Sequence, residues 1–212
     1  MSEGRQQHWE TVYRDKEEGE TSWFRPHLDE SLRLIDALDV PHGQPVIDVG
    51  GGRATLVDDL LARGFHDVSV LDLSANALAE ARRRLGARSE RVHWIVGDAI
   101  QVELPVAHYA LWHDRAVFHF LVEPGEQARY VTTAARVLRT GGHLVVGCFA
   151  PDGPERCSGL PVARHSADDL IKLFAPAFDP VAQSRELHRT PAGRDQAFTY
   201  VVLRRRDDGT GL

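Results

Sequence analysis

The chain predicts an α/β fold: a seven-stranded, mostly parallel sheet with helices on both faces, an antiparallel last strand and a helical segment ahead of it. Three observations predict it. From Pro45 onward, apolar runs of strand length alternate with stretches of helical periodicity, the rhythm of βαβ units. Val46-Ile47-Asp48-Val49 runs into Gly50-Gly51-Gly52 and then into helix-forming residues from Thr55, as when a buried strand passes through a tight turn to a helix N-terminus. Towards the C-terminus, extended runs at 181–188 and 197–204 are joined by the short Thr190-Pro191-Ala192-Gly193, which leaves no room for a parallel crossover.

Residues 1–44 place His8-Trp9, Tyr13 and Trp23-Phe24 in a polar background, and Leu28, Leu32, Ile35 and Leu38 recur at helical spacing up to a stop at Pro41. Trp9 and Tyr13, one helical turn apart, read as packing residues. Trp23-Phe24 falls in a loop before Pro26, where large aromatics more often cover something. Residues 45–150 carry strands at 46–49, 68–71, 92–96, 109–112 and 143–149, with helices near 55–63, 75–85 and 126–139. Gly64, Gly86 and the Gly141-Gly142 pair stand where helix stops are expected. Residues 151–205 hold a Pro/Gly-rich loop, a helix at 167–174 capped by Ser166, and the antiparallel pair. The 212 residues suit one full core, and no repeat or composition break divides them, so 1–212 reads as a single domain.

No apolar run approaches the roughly 18 residues a membrane helix needs, and the polar N-terminus has no signal-peptide core. Two cysteines, Cys148 and Cys157, make no disulfide framework. A cytoplasmic protein with no membrane partner is expected, as a monomer or homodimer. The net charge of −6 opposes attraction to phosphate backbones. Arg82-Arg83-Arg84 and Arg204-Arg205-Arg206, on a helix and near a chain end, read as solvated faces, so no nucleic-acid partner is expected.

The glycine turn is the candidate ligand site. Glycine there lets a ligand approach the backbone and leaves N–H groups pointing into the gap. Asp48, inside the strand, is costly unless it meets a cationic or hydrogen-donating partner. Twenty residues beyond Gly52, Asp72 ends the next apolar run, where a carboxylate can accept both hydroxyls of a ribose. The following strand ends at Gly97-Asp98-Ala99, within reach of an adenine amino group. The turn reads Gly50-x-Gly52-x-x-Thr55, so the third glycine of a dinucleotide fingerprint is missing.

Together these residues resemble the class I S-adenosylmethionine-dependent methyltransferases over residues 45 to 204. Ala54 stands where many members have a further glycine. The resemblance implies a Rossmann-like fold and S-adenosylmethionine as cofactor. It places Gly50, Gly51 and Gly52 near the methionine part, Asp48 at its amino end, Asp72 and Leu73 at the ribose, and Asp98 and Ala99 at the adenine. No metal is expected.

The acceptor-facing stretch is Tyr109-Ala110-Leu111-Trp112-His113-Asp114-Arg115-Ala116-Val117-Phe118-His119-Phe120. It lacks the Asn/Asp-Pro-Pro-aromatic turn of many amino-methylating relatives. Trp112 to Arg115 resembles, more loosely, the corresponding turn of the small-molecule thiol and thiopurine methyltransferases. Trp9 and Trp23-Phe24 resemble the lid those enzymes close over the cofactor. This second resemblance places Trp23 and Trp112 beside the cofactor and Cys157 over the pocket. Arg115 would favour a thiolate or hold an anionic substrate, Asp114 would orient Arg115 or form an ion pair with it at the rim, and His113 or His119 would be the base. A small-molecule acceptor, a protein lysine and cofactor binding without catalysis are the readings left open.

Overall fold

A computed structural model describes residues 2–207. The helices are α1 (Ser2–Asp15), α2 (Asp29–Asp36), α3 (Leu56–Ala62), α4 (Ala75–Leu85), α5 (Pro124–Val137) and α6 (Ala167–Phe174). The strands are β1 (Val46–Val49), β2 (Val68–Asp72), β3 (Val92–Val96), β4 (Tyr109–Arg115), β5 (Leu138–Phe149), β6 (Arg156–Cys157), β7 (Leu160–Pro161), β8 (Phe178–Arg189) and β9 (Asp195–Arg205).

Seven strands form one sheet in the order β3-β2-β1-β4-β5-β9-β8. The first five are parallel, and β9 runs antiparallel to both its neighbours. The chain winds outward from β1 to β3 and then restarts at β4 on the other side of β1. The carboxyl ends of β1 and β4 therefore flank a topological switch point, where open α/β sheets leave a crevice.

Period-2 alternation sorts the sheet into two cores. Val46, Val68, Val70, Leu111, Val145 and Val202 meet α2, α3 and α4 on one face. Ile47, Val49, Leu71, Trp112, Leu144, Val146 and Val201 meet α5 and α6 on the other. Ser166 caps α6 in a reciprocal box with Asp169, so its backbone donors are satisfied where the chain leaves the loop.

Two of the differences from the sequence reading concern β4 and the junction of α5 and β5. β4 continues to Arg115, because β1 pairs with it as far as Asp114 and β5 as far as Arg115. α5 stops at Val137, and Gly141-Gly142 lies inside β5. A Cβ on Gly142 would sit 2.8 Å from Arg139 O and 3.1 Å from Tyr109 O, close to where the β4–β5 register shifts. The glycines serve a strand irregularity there and do not stop a helix. The loop after β5 also contains a small hairpin, β6–β7, which no sequence pattern announced.

Candidate active site

The glycine turn is held from below and pressed from above. Gly50 N donates to Leu71 O at 2.6 Å, tying the turn to the end of β2. Gly50 has φ +70° and Gly52 has φ +43°, both in the left-handed region. A Cβ on Gly50 would overlap Val117 Cγ2, and one on Gly52 would lie 2.7 Å from the Tyr13 hydroxyl and 3.0 Å from Asp72 Oδ2.

Above the switch point lies a cleft of about 860 Å³. Around the ends of β2 and β3 it is lined by Leu71, Asp72, Leu73, Gly97, Asp98 and Ala99, and Arg5, Trp9, Trp23, Arg115, Phe120, Leu121, Phe149, Cys157 and Phe198 also line it. A second cleft of about 560 Å³ adjoins it, sharing Tyr13, Trp23, Gly50 and Arg115, and reaches Asp48, Gly51, Arg53 and His113.

The part around β2 and β3 fits an adenosine on the structure's own terms. Asp98 Oδ1 accepts from Ile100 N at 3.1 Å, while Oδ2 is buried with no hydrogen-bond partner, an orphan acceptor suited to an amino group. Asp72 is 7% exposed and its Oδ1 accepts from Ser74 N at 2.8 Å. Burial, with the Asp48 and Glu10 carboxylates adding to it, pushes Asp72 up to about 7. Ribose hydroxyls donating to that carboxylate would favour its ionised form.

The N-terminal segment is bound to this part. Glu10 on α1 accepts from Ser74 Oγ at 2.9 Å and from Ala75 N at 2.7 Å, placing a carboxylate at the N-terminus of α4. Arg53, just past the glycines, donates to Lys16 O at 2.7 Å, to Tyr13 O and to Glu80 Oε1 at 2.8 Å. Trp9 packs at ring-centroid distances of 6.0 Å from Tyr13, 5.7 Å from Trp23 and 5.1 Å from Phe120. Tyr13, which sequence spacing assigned to packing, lines both clefts, and burial first of all raises its hydroxyl well above the ordinary range.

The consecutive residues Trp112 to Arg115 do not act together, because a strand sends neighbours to opposite faces. Only His113 and Arg115 line a cleft. Trp112 is fully buried on the α5 side, its Nε1 donating to Tyr130 Oη at 2.8 Å, which corrects its expected place beside the cofactor. Asp114, on the same side, accepts from the Tyr130 hydroxyl and from the backbone of Val117 (2.8 Å) and Phe118 (3.1 Å). It shapes the turn that presses Val117 on Gly50. Burial pushes Asp114 up to about 6, and it neither orients nor pairs with Arg115. Arg115 instead donates to Tyr200 Oη at 3.0 Å and Trp23 O at 3.4 Å, lies 3.8 Å from Glu186 Oε2, and stacks 4.4 Å from the Phe198 ring centre.

Neither histidine stands ready as a base. His113 is 2.7 Å from Asp48 Oδ1 through Nδ1 and 2.9 Å from Ser31 Oγ through Nε2, so both ring nitrogens are engaged. The partner that Asp48 requires is thus a residue of the next strand. His119 is completely buried and packs against Phe120 (4.4 Å) and Phe149 (4.6 Å), which line the cleft in front of it. Burial, reinforced by Arg115, lowers it to about 3 and keeps it neutral. Cys157 does line the cleft, but burial raises its thiol to about 11. Sequence reasoning missed Arg5, Glu10, Ser31, Arg53, Phe149 and Phe198, which reach the site from separate elements with no local motif.

Residues 46–142 match the protein family described as a methyltransferase domain. The sheet order and this matched segment give the chain the Rossmann-like fold that solved S-adenosylmethionine-dependent methyltransferases also have. A solved structure described as converting a disulfide bond into a thioacetal group during echinomycin biosynthesis superposes with a TM-score of 0.80. It is 20% identical, over 97% of this chain and 94% of that one. The 1,6-didemethyltoxoflavin-N1-methyltransferase of Burkholderia thailandensis, solved with 1,6-didemethyltoxoflavin and S-adenosylhomocysteine, gives a TM-score of 0.74 at 23% identity, over 96% of this chain and 88% of that one. In sequence, the chain is 22% identical over 150 residues to the mouse (Mus musculus) eEF1A lysine and N-terminal methyltransferase. That match covers 67% of this chain and only 21% of the mouse protein's length. No helix among the described residues is long and apolar enough to cross a membrane.

Proposed function

We propose that the protein transfers the methyl group of S-adenosylmethionine to the sulfur of a small thiol. One observation carries the reading: the acceptor end of the cleft holds a buried guanidinium and, among the described residues, no available base. A thiol ionises close to neutrality, so a nearby cation suffices to present it as thiolate. An ammonium or an alcohol would have to lose its proton from a pKa of about 10 or higher, with no group at hand to take it.

When bound, the cofactor supplies a methyl group already activated on a sulfonium. The chain would hold it with Asp98 and Ala99 at the adenine, Asp72 and Leu73 at the ribose, and Asp48 with Gly50, Gly51 and Gly52 along the methionine part. Trp9, Trp23, Phe120 and Phe198 would exclude water, and Arg115 would hold the thiolate. The neighbour described as acting on a disulfide during echinomycin biosynthesis supports sulfur chemistry on this fold.

Protein lysine methylation is the second reading, favoured by the eEF1A lysine methyltransferase relative. A panel of thiols, amines and alcohols, followed by S-adenosylhomocysteine release, is expected to give turnover on thiols alone. Label from the cofactor that precipitates with protein from a cell extract, with no thiol turnover, would overturn the proposal in favour of lysine.

A further inference from the structure

Beneath the glycine turn, three side chains form a hydrogen-bonded row that methyl transfer does not itself require. Ser31 Oγ on α2 lies 2.9 Å from His113 Nε2, and His113 Nδ1 lies 2.7 Å from Asp48 Oδ1. Their exposures are 0% for Ser31, 2% for His113 and 3% for Asp48. The chemistry of the groups sets the direction of the row. A carboxylate only accepts, so Nδ1 carries the proton. Nε2 of an imidazole protonated only at Nδ1 is then an acceptor for the serine hydroxyl, which also lies in hydrogen-bond contact with Tyr200. In a hydrolase the same three groups would present the serine to substrate. Here Ser31 lines neither cleft, whereas His113 and Asp48 both line the second one.

We infer that Ser31 and His113 are positioning residues that aim the Asp48 carboxylate at the amino group of the cofactor's methionine part. The inference rests on reading the second cleft as the methionine end. Asp48 and His113 are register partners in β1 and β4, so the strands set their spacing. With Oδ1 taken by His113, Oδ2 is left towards the turn: a Cβ on Gly51 would lie 2.6 Å from it. Ser31 holds the imidazole in the tautomer that donates to Asp48. α2 thereby contributes to the cofactor site without touching it.

Two probes test the row. S-adenosylhomocysteine keeps the amino-acid part and 5′-methylthioadenosine lacks it, and each is titrated calorimetrically into wild type, Ser31→Ala and Asp48→Asn. Both substitutions are expected to weaken S-adenosylhomocysteine about tenfold, as for loss of one oriented charge-assisted hydrogen bond, and to leave methylthioadenosine unchanged. Equal losses for the two probes in Ser31→Ala would make the row merely structural and overturn the inference. Selective loss in Asp48→Asn without loss in Ser31→Ala would overturn the relay while sparing the methionine-end reading. Unchanged binding of both probes in Asp48→Asn would overturn that reading and the inference with it. Nitrogen-15 NMR of the unliganded wild type is expected to show His113 protonated at Nδ1. An Nε2–H or imidazolium signature overturns the row even if Ser31→Ala does not fold.

Discussion

Replacing Arg115 with glutamine removes the charge at the acceptor end and keeps most of the side chain's length. The guanidinium's side-chain exposure is 5%, and Nη2 is buried without a hydrogen-bond partner. A thiolate about 5 Å from it, at an effective dielectric of about 20, would be stabilised by about 3 kcal/mol. Glu186, 3.8 Å away, is present with or without the guanidinium and cancels in the difference, which is worth about two pKa units on the thiol. Glu186 still has Arg25 at 2.5 Å and the Tyr200 hydroxyl at 2.9 Å, so the variant strands no carboxylate and should fold. Turnover of the best thiol in the panel is expected to fall about 100-fold at pH 7. The deficit should close towards high pH, where the thiol ionises unaided. S-adenosylhomocysteine release is followed across the pH range, with cofactor affinity measured in parallel. A loss that is uniform in pH, or one that appears as weakened cofactor binding, would refute the thiolate role and move Arg115 to the cofactor.

Three further outcomes follow from the same geometry. Because burial raises Asp72 to about 7 and ribose hydroxyls favour its ionised form, S-adenosylhomocysteine affinity should rise with pH through about 7 with proton release; Asp72→Asn should flatten that dependence and weaken binding by about 1.5–3 kcal/mol at pH 8, as calorimetry in buffers of different ionisation enthalpy would show. His119 has a folded-state pKa lowered to about 3, so it costs stability as pH falls below its unfolded value of about 6.5; His119→Leu should remove about 1 kcal/mol of the wild type's loss between pH 7.5 and 5.5 in urea titrations, with turnover unchanged, and a large loss of turnover would restore His119 as a base. Gly50→Ala places a Cβ on Val117 at φ +70°, so it should destabilise the fold by about 1–3 kcal/mol in denaturant titrations; adding Val117→Ala should recover only part, since the backbone strain stays.

The fold was legible because its signals are local. Alternating apolar runs, the triple-glycine turn and the short 190–193 connection each report a period or a turn that neighbouring residues impose on one another. Asp48, Asp72 and Asp98 were legible for a related reason: each stands at or beside the carboxyl end of a strand, and parallel strands bring those ends together. Trp112 to His119 misled because chemical type was read without the period. Arg115 and His113 face one core while Trp112 and Asp114 face the other, and His119 lies on the turn beyond, behind Phe120 and Phe149.

By itself the sequence determined the seven-stranded class, the glycine turn and the row of three carboxylates, because strand period, glycine conformational freedom and strand-end placement are properties of short segments. Only the tertiary structure decided what those groups meet. Asp48 met His113 and Ser31 from β4 and α2, Asp72 met Glu10's neighbourhood from α1, and Arg115 was set against Glu186, Tyr200 and Phe198 from β8 and β9. Those partners lie tens of residues away along the chain, and a buried charge takes its role from whatever the packing brings beside it.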